Sequence, residues 1–246
     1  MQPLVSVVIP TIPSRSKLLQ RAIGSVHSQT YSNIELVVVN EGLSATVQRN
    51  IGIKRSHGDF IAFLDDDDEW LPTKIEKQVK CLLENPSCFM AVCYSVDYRF
   101  NTRRFCKPKE ILVYGDLIKS FNLSSTSSYL VRKYPLDLLG GFDEALQSGH
   151  EYDLALRLFC LKHLEHHHIR TVPKVLMIQN ASENQISENW GKKIRGIMQI
   201  ARKHHRSYGF KEYLKTVTVL CLFLFGYVFG NKIYRVIIPL KEFYER

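Results

Sequence analysis

Short β-branched apolar runs alternate with segments of helical periodicity over the first hundred residues of the chain. Strands are predicted at residues 4–10, 34–40, 60–64 and 89–100, and helices at residues 16–29, 46–56 and 71–85. This alternation is typical of an α/β protein with a mostly parallel sheet that helices cover on both faces. In such sheets ligands bind beyond the carboxyl ends of the strands, so the loops after the first three strands are expected to share one crevice.

The middle of the chain is less regular and is assigned to the same domain. Residues 124–133 predict a strand entered from a polar loop, residues 150–163 a helix, and residues 170–180 a last strand. We therefore place one α/β domain at residues 1–190. A change in composition near residue 190 assigns residues 191–246 to a helical extension.

This C-terminal extension is first basic and then apolar. Residues 191–215 carry eight Lys or Arg and one Glu, and residues 216–230 carry no charge. The uncharged stretch is shorter than the roughly 20 residues that a membrane-spanning helix needs. We favour an interfacial helix on an anionic membrane surface, with a buried helix, a subunit contact or a true span as alternatives.

The net charge of the chain limits which partners are expected, and the cysteines indicate the cellular compartment. The formal net charge of +9 favours an anionic partner, which includes nucleic acid, phosphorylated small molecules and anionic lipid. None of the six cysteines forms a CxxC pair, and the opening residues do not resemble a signal peptide, so we expect reduced thiols in the cytoplasm. The adjacent histidines of the sequence EHHHI, residues 165–169, are interpreted as a polar connection and not as a metal site.

Four consecutive aspartates, Asp65 to Asp68, directly follow the third predicted strand. Adjacent carboxylates repel one another and need a cation or hydrogen-bond donors to compensate. A helix cap would use only one of them, and Trp70 argues against a freely solvated loop. In extended backbone Asp65 and Asp67 would point to the same side. Because Mg²⁺ is held by one or two carboxylates together with substrate phosphates, the run predicts a metal–phosphate site.

Four separated motifs then identify a family resemblance. They are VSVVIPT, LLQRAIGSVHSQTYSNIELVVVNEG, RNIGIKRSHGDFIAFLDDDDEWLPTKIEKQ and GGFDEALQSGHEYDLALRL. Their order resembles that of the family 2 glycosyltransferases, which have the Rossmann-like GT-A fold, and the resemblance covers roughly residues 4–180. It implies an inverting transfer from a nucleotide-diphosphate sugar, a UDP-sugar before others, with Mn²⁺ or Mg²⁺ as cofactor. The implied acceptor is a hydroxyl group on a glycan or a lipid-linked molecule.

The resemblance also assigns the donor-binding residues. Thr11 matches a threonine that touches the nucleotide base, and Glu41 stands at the position that accepts a hydrogen bond from the base. Arg49 is expected near the diphosphate. Pro13 replaces a frequent aromatic residue, and Asn40 and Glu41 replace an aspartate pair, which weakens the uridine assignment.

The metal ligand and the general base come from the two acidic motifs of the resemblance. Asp67 matches the main metal ligand, Asp65 and Asp66 are expected near the ribose and the metal, and Asp68 is expected to be structural. Glu151 takes the place of the aspartate that removes the proton from the acceptor hydroxyl. Asp153 is the second candidate for this base, although it lies two positions further along a helix and should point elsewhere.

Three other functions remain as alternatives at the level of the sequence. A nucleotidyltransferase normally opens with a glycine-rich basic loop, whereas residues 10–17 contain no glycine. A catalytically silent binding module is favoured only by the departures at Pro13, Asn40 and Glu151. Nucleic-acid binding is disfavoured because the apolar stretch beside the basic residues fits lipid better. The sequence predicts neither the oligomeric state nor the identity of the sugar and the acceptor.

Overall fold

The computed structural model describes residues 2–98, 103–119, 123–161, 167–180 and 190–204. The strands are β1 (Val5–Pro10), β2 (Ile34–Val39), β3 (Phe60–Phe63), β4 (Asp68–Trp70), β5 (Cys88–Asp97), β6 (Arg104–Cys106), β7 (Ile111–Leu112), β8 (Leu130–Arg132) and β9 (His168–Gln179). The helices are α1 (Ser16–His27), α2 (Ala45–Arg55), α3 (Lys74–Glu84), α4 (Tyr114–Lys119), α5 (Lys133–Leu139), α6 (His150–Phe159) and α7 (Trp190–Lys203).

The strands of the described residues form one central sheet flanked by helices, as the sequence predicts. The strand order is β2-β1-β3-β8-β5-β9-β4, with β6 paired to β5 and β7 paired to β9. The pairs β1–β2, β1–β3 and β5–β9 are parallel. The sheet is more mixed than the sequence pattern indicates, because β8 runs antiparallel to both β3 and β5.

The first half of the sheet is built from the three apolar runs. Strands β1 and β3 lie inside the sheet and are buried along their whole length, whereas β2 is only partly buried because it forms an edge. Helix α2 crosses β1 closely, since a β-carbon on Gly52 would lie only 2.2 Å from a methyl group of Val8. This close packing brings the polar side chains of α2 over the carboxyl ends of β1 and β3.

The second half of the core joins α6 and α7 to the sheet. Leu154, Leu158 and Ile200 are almost completely buried in one apolar cluster with residues of β3, β5 and β8. The part of the basic extension that the structure describes is therefore helical and packed, while residues 216–230 lie outside the described residues. Within the described ranges, no helix has both the length and the apolar character needed to cross a membrane.

Candidate active site

The carboxyl ends of β1 and β3 lie side by side, and Thr11 and the four aspartates follow them directly. The aspartates do not continue in extended backbone. The backbone N–H of Asp68 donates to the carbonyl of Asp65 at 3.0 Å, which closes a turn over residues 65–68. The chain reverses here because Asp68 already belongs to β4, which pairs with Gln179 of β9. The expected alternation of Asp65 and Asp67 along a strand is therefore wrong, and each carboxylate has its own environment.

Arg15, in the loop between β1 and α1, holds two of the carboxylates. Its Nη1 lies 2.8 Å from Asp66 Oδ1, and its Nη2 lies 2.7 Å from Asp67 Oδ2. The hydroxyl of Thr11 donates to the other oxygen of Asp66 at 2.7 Å. Asp66 is only 2% exposed, and this burial raises its pKa, while the bonds from Thr11 and Arg15 act in the opposite direction. The Arg15 guanidinium, which bridges Asp66 and Asp67, is thus an integral part of the turn.

Asp65 is held by a second arginine, Arg49 of α2, whose Nη2 donates to Asp65 Oδ1. Arg49 is 8% exposed, and its guanidinium carbon lies 5.8 Å from the ring centre of Phe142. Its Nε is buried without a hydrogen-bond partner among the described residues. A buried guanidinium with an unused donor is suited to bind an anion that enters the crevice.

Asp68 is tied into the sheet and away from the crevice. Ser127 donates from its hydroxyl to Asp68 at 2.6 Å and accepts from the backbone N–H of Asp65 at 3.0 Å. The indole N–H of Trp70 donates to the carbonyl of Ser127 at 2.7 Å. One serine therefore fixes both ends of the aspartate turn, which supports the structural role expected for Asp68.

A fully buried lysine lies beneath this turn. The ammonium of Lys74 is 3.9 Å from the ring centre of Trp70 and donates to Gln78 at 2.7 Å. Burial lowers the pKa of Lys74 to about 8. Since Trp70 holds Ser127, the Lys74–Trp70 stack supports the aspartate turn from below.

Glu151 lies in the first turn of α6 and lines a cavity of about 300 Å³. Its carboxylate has neither a hydrogen-bond nor an ion-pair partner among the described residues. The remaining cavity wall comes from β5, β6, β9 and the segment before β8: Asp97, Arg104, Phe105, Cys106, Leu123, Ser124, Ser125 and Gln179. An unpaired carboxylate that faces a small cavity is placed to accept a proton from a molecule bound there.

The second candidate base, Asp153, points away from this cavity, as its helical position predicts. It is completely buried and lies 2.7 Å from Arg157 Nε, 2.9 Å from Lys203 Nζ and 2.9 Å from His204 Nε2. Burial acts to raise its pKa, but the bonds from His204 and Lys203 and the charge of Arg157 hold the pKa well below its usual range. Asp153 is thus committed to ion pairs that leave it no capacity to take a proton near neutral pH.

Glu41 lies on the surface beside α2 and forms an ion pair with Arg55 at 2.5 Å. Its assignment as the base-reading residue stays a prediction. Sequence reasoning missed Arg15 and Ser127, which between them hold the carboxylates of Asp66, Asp67 and Asp68 and the backbone N–H of Asp65. The lone arginine in the loop after β1 was the available signal for the first of them, whereas nothing near Ser127 in the sequence points to the turn.

The donor set of the turn fits a divalent cation. The guanidinium of Arg15 contacts the carboxylates of Asp66 and Asp67 at once, so two hard oxygen ligands already converge on one positive group. No group of three or more His, Cys, Asp or Glu side chains in the described ranges is arranged to hold a metal. A Mg²⁺ ion bound at this turn would therefore need further ligands from water or from substrate phosphates.

The chain is similar to known glycosyltransferases over part of its length. Residues 40–134 match the model of the family described as glycosyl transferase family 2. The chain is 30% identical over 183 residues to an uncharacterized glycosyltransferase of Rickettsia typhi, covering 62% of this chain and 57% of that protein. It is 29% identical over 155 residues to WfgD of Escherichia coli, and the match covers 52% of this chain and 60% of that protein. WfgD is described as a UDP-Glc:alpha-D-GlcNAc-diphosphoundecaprenol beta-1,3-glucosyltransferase. The chain thus spans about three fifths of the length of these two relatives.

The fold is similar to that of solved structures at much lower sequence identity. One is the mannosyltransferase PcManGT from Pyrobaculum calidifontis, solved in complex with GDP-Man and Mn²⁺. The TM-score is 0.63 at 14% identity, and the superposition covers 98% of this chain and 80% of that one. At this identity the comparison establishes the fold.

Proposed function

We propose that this chain, which belongs to the family 2 glycosyltransferases and has their GT-A fold, transfers a glycosyl group from a nucleotide-diphosphate sugar to a hydroxyl group. The observation that carries the proposal is the division of the acidic groups. Asp65, Asp66 and Asp67 converge with two arginines at the strand ends, while Glu151 lines a separate cavity and has no hydrogen-bond or ion-pair partner among the residues that the structure describes.

In this proposal the aspartate turn binds the diphosphate of the donor. Asp67 would hold Mn²⁺ or Mg²⁺ with Asp65 as the second ligand, although Asp65 is paired with Arg49 here and it is Asp66 that shares Arg15 with Asp67. When bound, the metal would offset the negative charge that develops on the departing nucleoside diphosphate. Arg49 meets the diphosphate with its unused Nε–H. Thr11 and Asp66 shape the side of the crevice nearest the base and the ribose, and Glu41 reads the base.

The acceptor occupies the cavity on which Glu151 lies. The carboxylate of Glu151 takes the proton of the acceptor hydroxyl as its oxygen attacks the anomeric carbon. The bond from that carbon to the diphosphate oxygen breaks, and the nucleoside diphosphate leaves with the electron pair. Because the base and the diphosphate site come from separate elements of the fold, attack from the face opposite to the leaving group gives an inverted product in one step.

The rim of the cavity favours an acceptor that carries negative charge. Phe105 is 47% exposed, and two cations contact its ring. The guanidinium carbon of Arg103 lies 4.8 Å and the ammonium of Lys107 lies 5.4 Å from the ring centre. Arg104 lines the cavity itself. A glycan linked to a lipid diphosphate has the required charge, and the name of WfgD describes such an acceptor. We further propose that the transfer takes place at an anionic membrane surface on its cytoplasmic side.

A thermal-shift screen tests the donor half of the proposal directly. A ligand that binds only the folded state raises the melting temperature, and the shift grows with the logarithm of the ligand concentration once that concentration exceeds Kd. We expect a UDP-sugar or a GDP-sugar to stabilise the protein in the presence of Mn²⁺ more than the same sugar without nucleotide. If no nucleotide sugar changes the melting temperature at any Mn²⁺ concentration, the donor assignment is wrong.

A further inference from the structure

Helix α7 lies against the loop of residues 143–149 that leads into the first turn of α6. The closest approach is at Gly196, where a β-carbon would lie 2.3 Å from the hydroxyl oxygen of Ser148 and 2.6 Å from its carbonyl oxygen. The hydroxyl of Ser148 in turn donates to the carbonyl of Lys192 at 3.3 Å. Only glycine at position 196 permits this packing, so the loop and the helix share one fixed spacing.

A single glutamine of α7 holds the backbone of the same loop at two points. Gln199 accepts from the backbone N–H of Gln147 at 2.9 Å and donates to the carbonyl of Ala145 at 3.0 Å. Both bonds go to main-chain atoms of the loop, so they fix its path whatever its side chains are.

The end of α7 is fastened to α6 itself. Lys203 lies 2.6 Å from Asp143 and 2.9 Å from Asp153, and His204 lies 2.9 Å from Asp153. Asp153 is in the same helical turn as Glu151 and is completely buried. A buried carboxylate needs these partners, since an unpaired charge in the interior is costly.

Outside α7, the start of α6 is held by two of its own side chains: His150 Nε2 lies 3.0 Å from the carbonyl oxygen of Leu146, and the hydroxyl of Tyr152 donates to the carbonyl of Leu117. The helix begins after Gly149, whose φ of 74° is in the left-handed region, and Gly149 provides no side-chain cap. Glu151 has no partner among the described residues that would orient its carboxylate. The direction in which Glu151 points therefore depends on the path of the loop and on the ion pairs of Asp153, together with the anchored neighbours His150 and Tyr152.

We infer that α7 is the positioning element for the Glu151 carboxylate, acting through Gly196, Gln199 and Lys203. The inference rests on the proposed role of Glu151 as general base. Helix α7, the first segment of the basic C-terminal extension, would then contribute to the transfer step, although it lies beyond the motifs at residues 4–180. A displacement of about 1 Å at a reacting group can cost on the order of 100-fold in rate, so a helix remote from the substrate can control it.

Gly196→Ala in the full chain is the direct test, with Gly24→Ala as the matched control. Both glycines are inside helices, where alanine is ordinarily the better residue, but a β-carbon at Gly24 meets nothing within 4 Å. We expect backbone amides of residues 143–153 to exchange with solvent at least about fivefold faster in Gly196→Ala than in Gly24→Ala. Unchanged exchange would overturn the inference, whether or not the enzyme is active.

Kinetics separate positioning from general stability. With donor and acceptor supplied, we expect kcat of Gly196→Ala to fall about 10- to 100-fold while donor affinity stays within about twofold of wild type. A loop that exchanges faster with kcat unchanged would overturn the inference, and so would a parallel loss of donor binding and melting temperature. A wild-type protein that transfers no sugar refutes the proposed function, and the exchange measurement still decides whether α7 holds the loop.

Gln199→Met provides a second variant in case Gly196→Ala does not fold. The substitution keeps the length of the side chain and removes both bonds to the loop backbone. The same pattern is expected at smaller amplitude: faster exchange at residues 143–153, lower kcat and unchanged donor affinity. Wild-type exchange and wild-type kcat in this variant would contradict the role assigned to α7.

Discussion

Arg15 and Asp67 face each other across the mouth of the crevice, with Nη2 and Oδ2 at 2.7 Å. The same guanidinium also contacts Asp66, so one positive charge lies between these two carboxylates. The turn thus carries its own counter-charge when no other cation is bound. A metal that binds Asp67 must displace Arg15 or share the carboxylate with it.

Removing this arginine should therefore strengthen metal binding in the absence of nucleotide. We predict that Arg15→Gln binds Mn²⁺ about 5- to 10-fold more tightly than wild type, because a competing positive charge is lost. The free Mn²⁺ signal in electron paramagnetic resonance measures this affinity. Arg21→Gln is the control, since Arg21 contacts the backbone of Asp67 and the side chain of Glu69 instead. Equal or weaker Mn²⁺ binding in Arg15→Gln would show that the two cations do not compete.

Loss of the Asp67 carboxylate should affect nucleotide binding only when metal is present. For Asp67→Asn we expect the affinity for UDP or GDP with Mn²⁺ to fall at least about 10-fold, with no change in metal-free buffer. Calorimetric titration under both conditions measures this difference. Asp137→Asn, which alters an exposed ion pair with Lys133, serves as control. An Mn²⁺-dependent affinity equal to that of wild type would remove Asp67 from the metal site.

Because Lys74 is buried, the free energy of unfolding should change with pH in the alkaline range. Its pKa is about 8 in the folded protein and 10.5 in the unfolded chain, so between these values the unfolded state binds more protons. The contribution of Lys74 to the free energy of unfolding therefore rises with pH in this window, by about 1 kcal/mol per pH unit. Burial raises the pKa of Cys93 to about 11, which acts in the opposite direction, so the comparison must be made between variants.

The variant for this comparison is Lys74→Met. We predict that the difference in unfolding free energy between wild type and Lys74→Met increases from pH 8 to pH 10, measured by urea unfolding. Lys80→Met, at an exposed lysine, should show no such trend. A difference that does not change with pH would mean that Lys74 stays charged in the folded state.

The local pattern of the sequence predicts most of the main elements of the fold. The apolar runs of β1, β2, β3 and β5 and the periodic segments of α1, α2 and α3 lie where expected, within a few residues. The short elements β4, β6 and β7 were not predicted because strands of two or three residues have no measurable periodicity.

The need of the aspartate run for a counter-charge was predictable from the sequence, but Arg15 and Ser127 as its partners and the shape of the turn were not. The repulsion between adjacent carboxylates indicates that the run Asp65–Asp68 needs a cation, and the structure supplies one in Arg15. The turn itself depends on the pairing of β4 with β9, which lies more than a hundred residues further along the chain. Such a long-range pairing leaves no local trace in the sequence, and the same holds for the contact of Asp153 with α7.

The most direct test of the whole account is the rate of sugar transfer by Glu151→Gln with Mn²⁺, a stabilising nucleotide sugar and a lipid-diphosphate-linked acceptor. We predict that wild type releases nucleotide as product forms. Glu151→Gln should lose about 100- to 10,000-fold in kcat with donor affinity retained, because only proton removal from the acceptor is impaired. Glu84→Gln, at an exposed pair with Lys80, should transfer at the wild-type rate. Full transfer by Glu151→Gln, or no nucleotide release by wild type with any donor, would contradict the account.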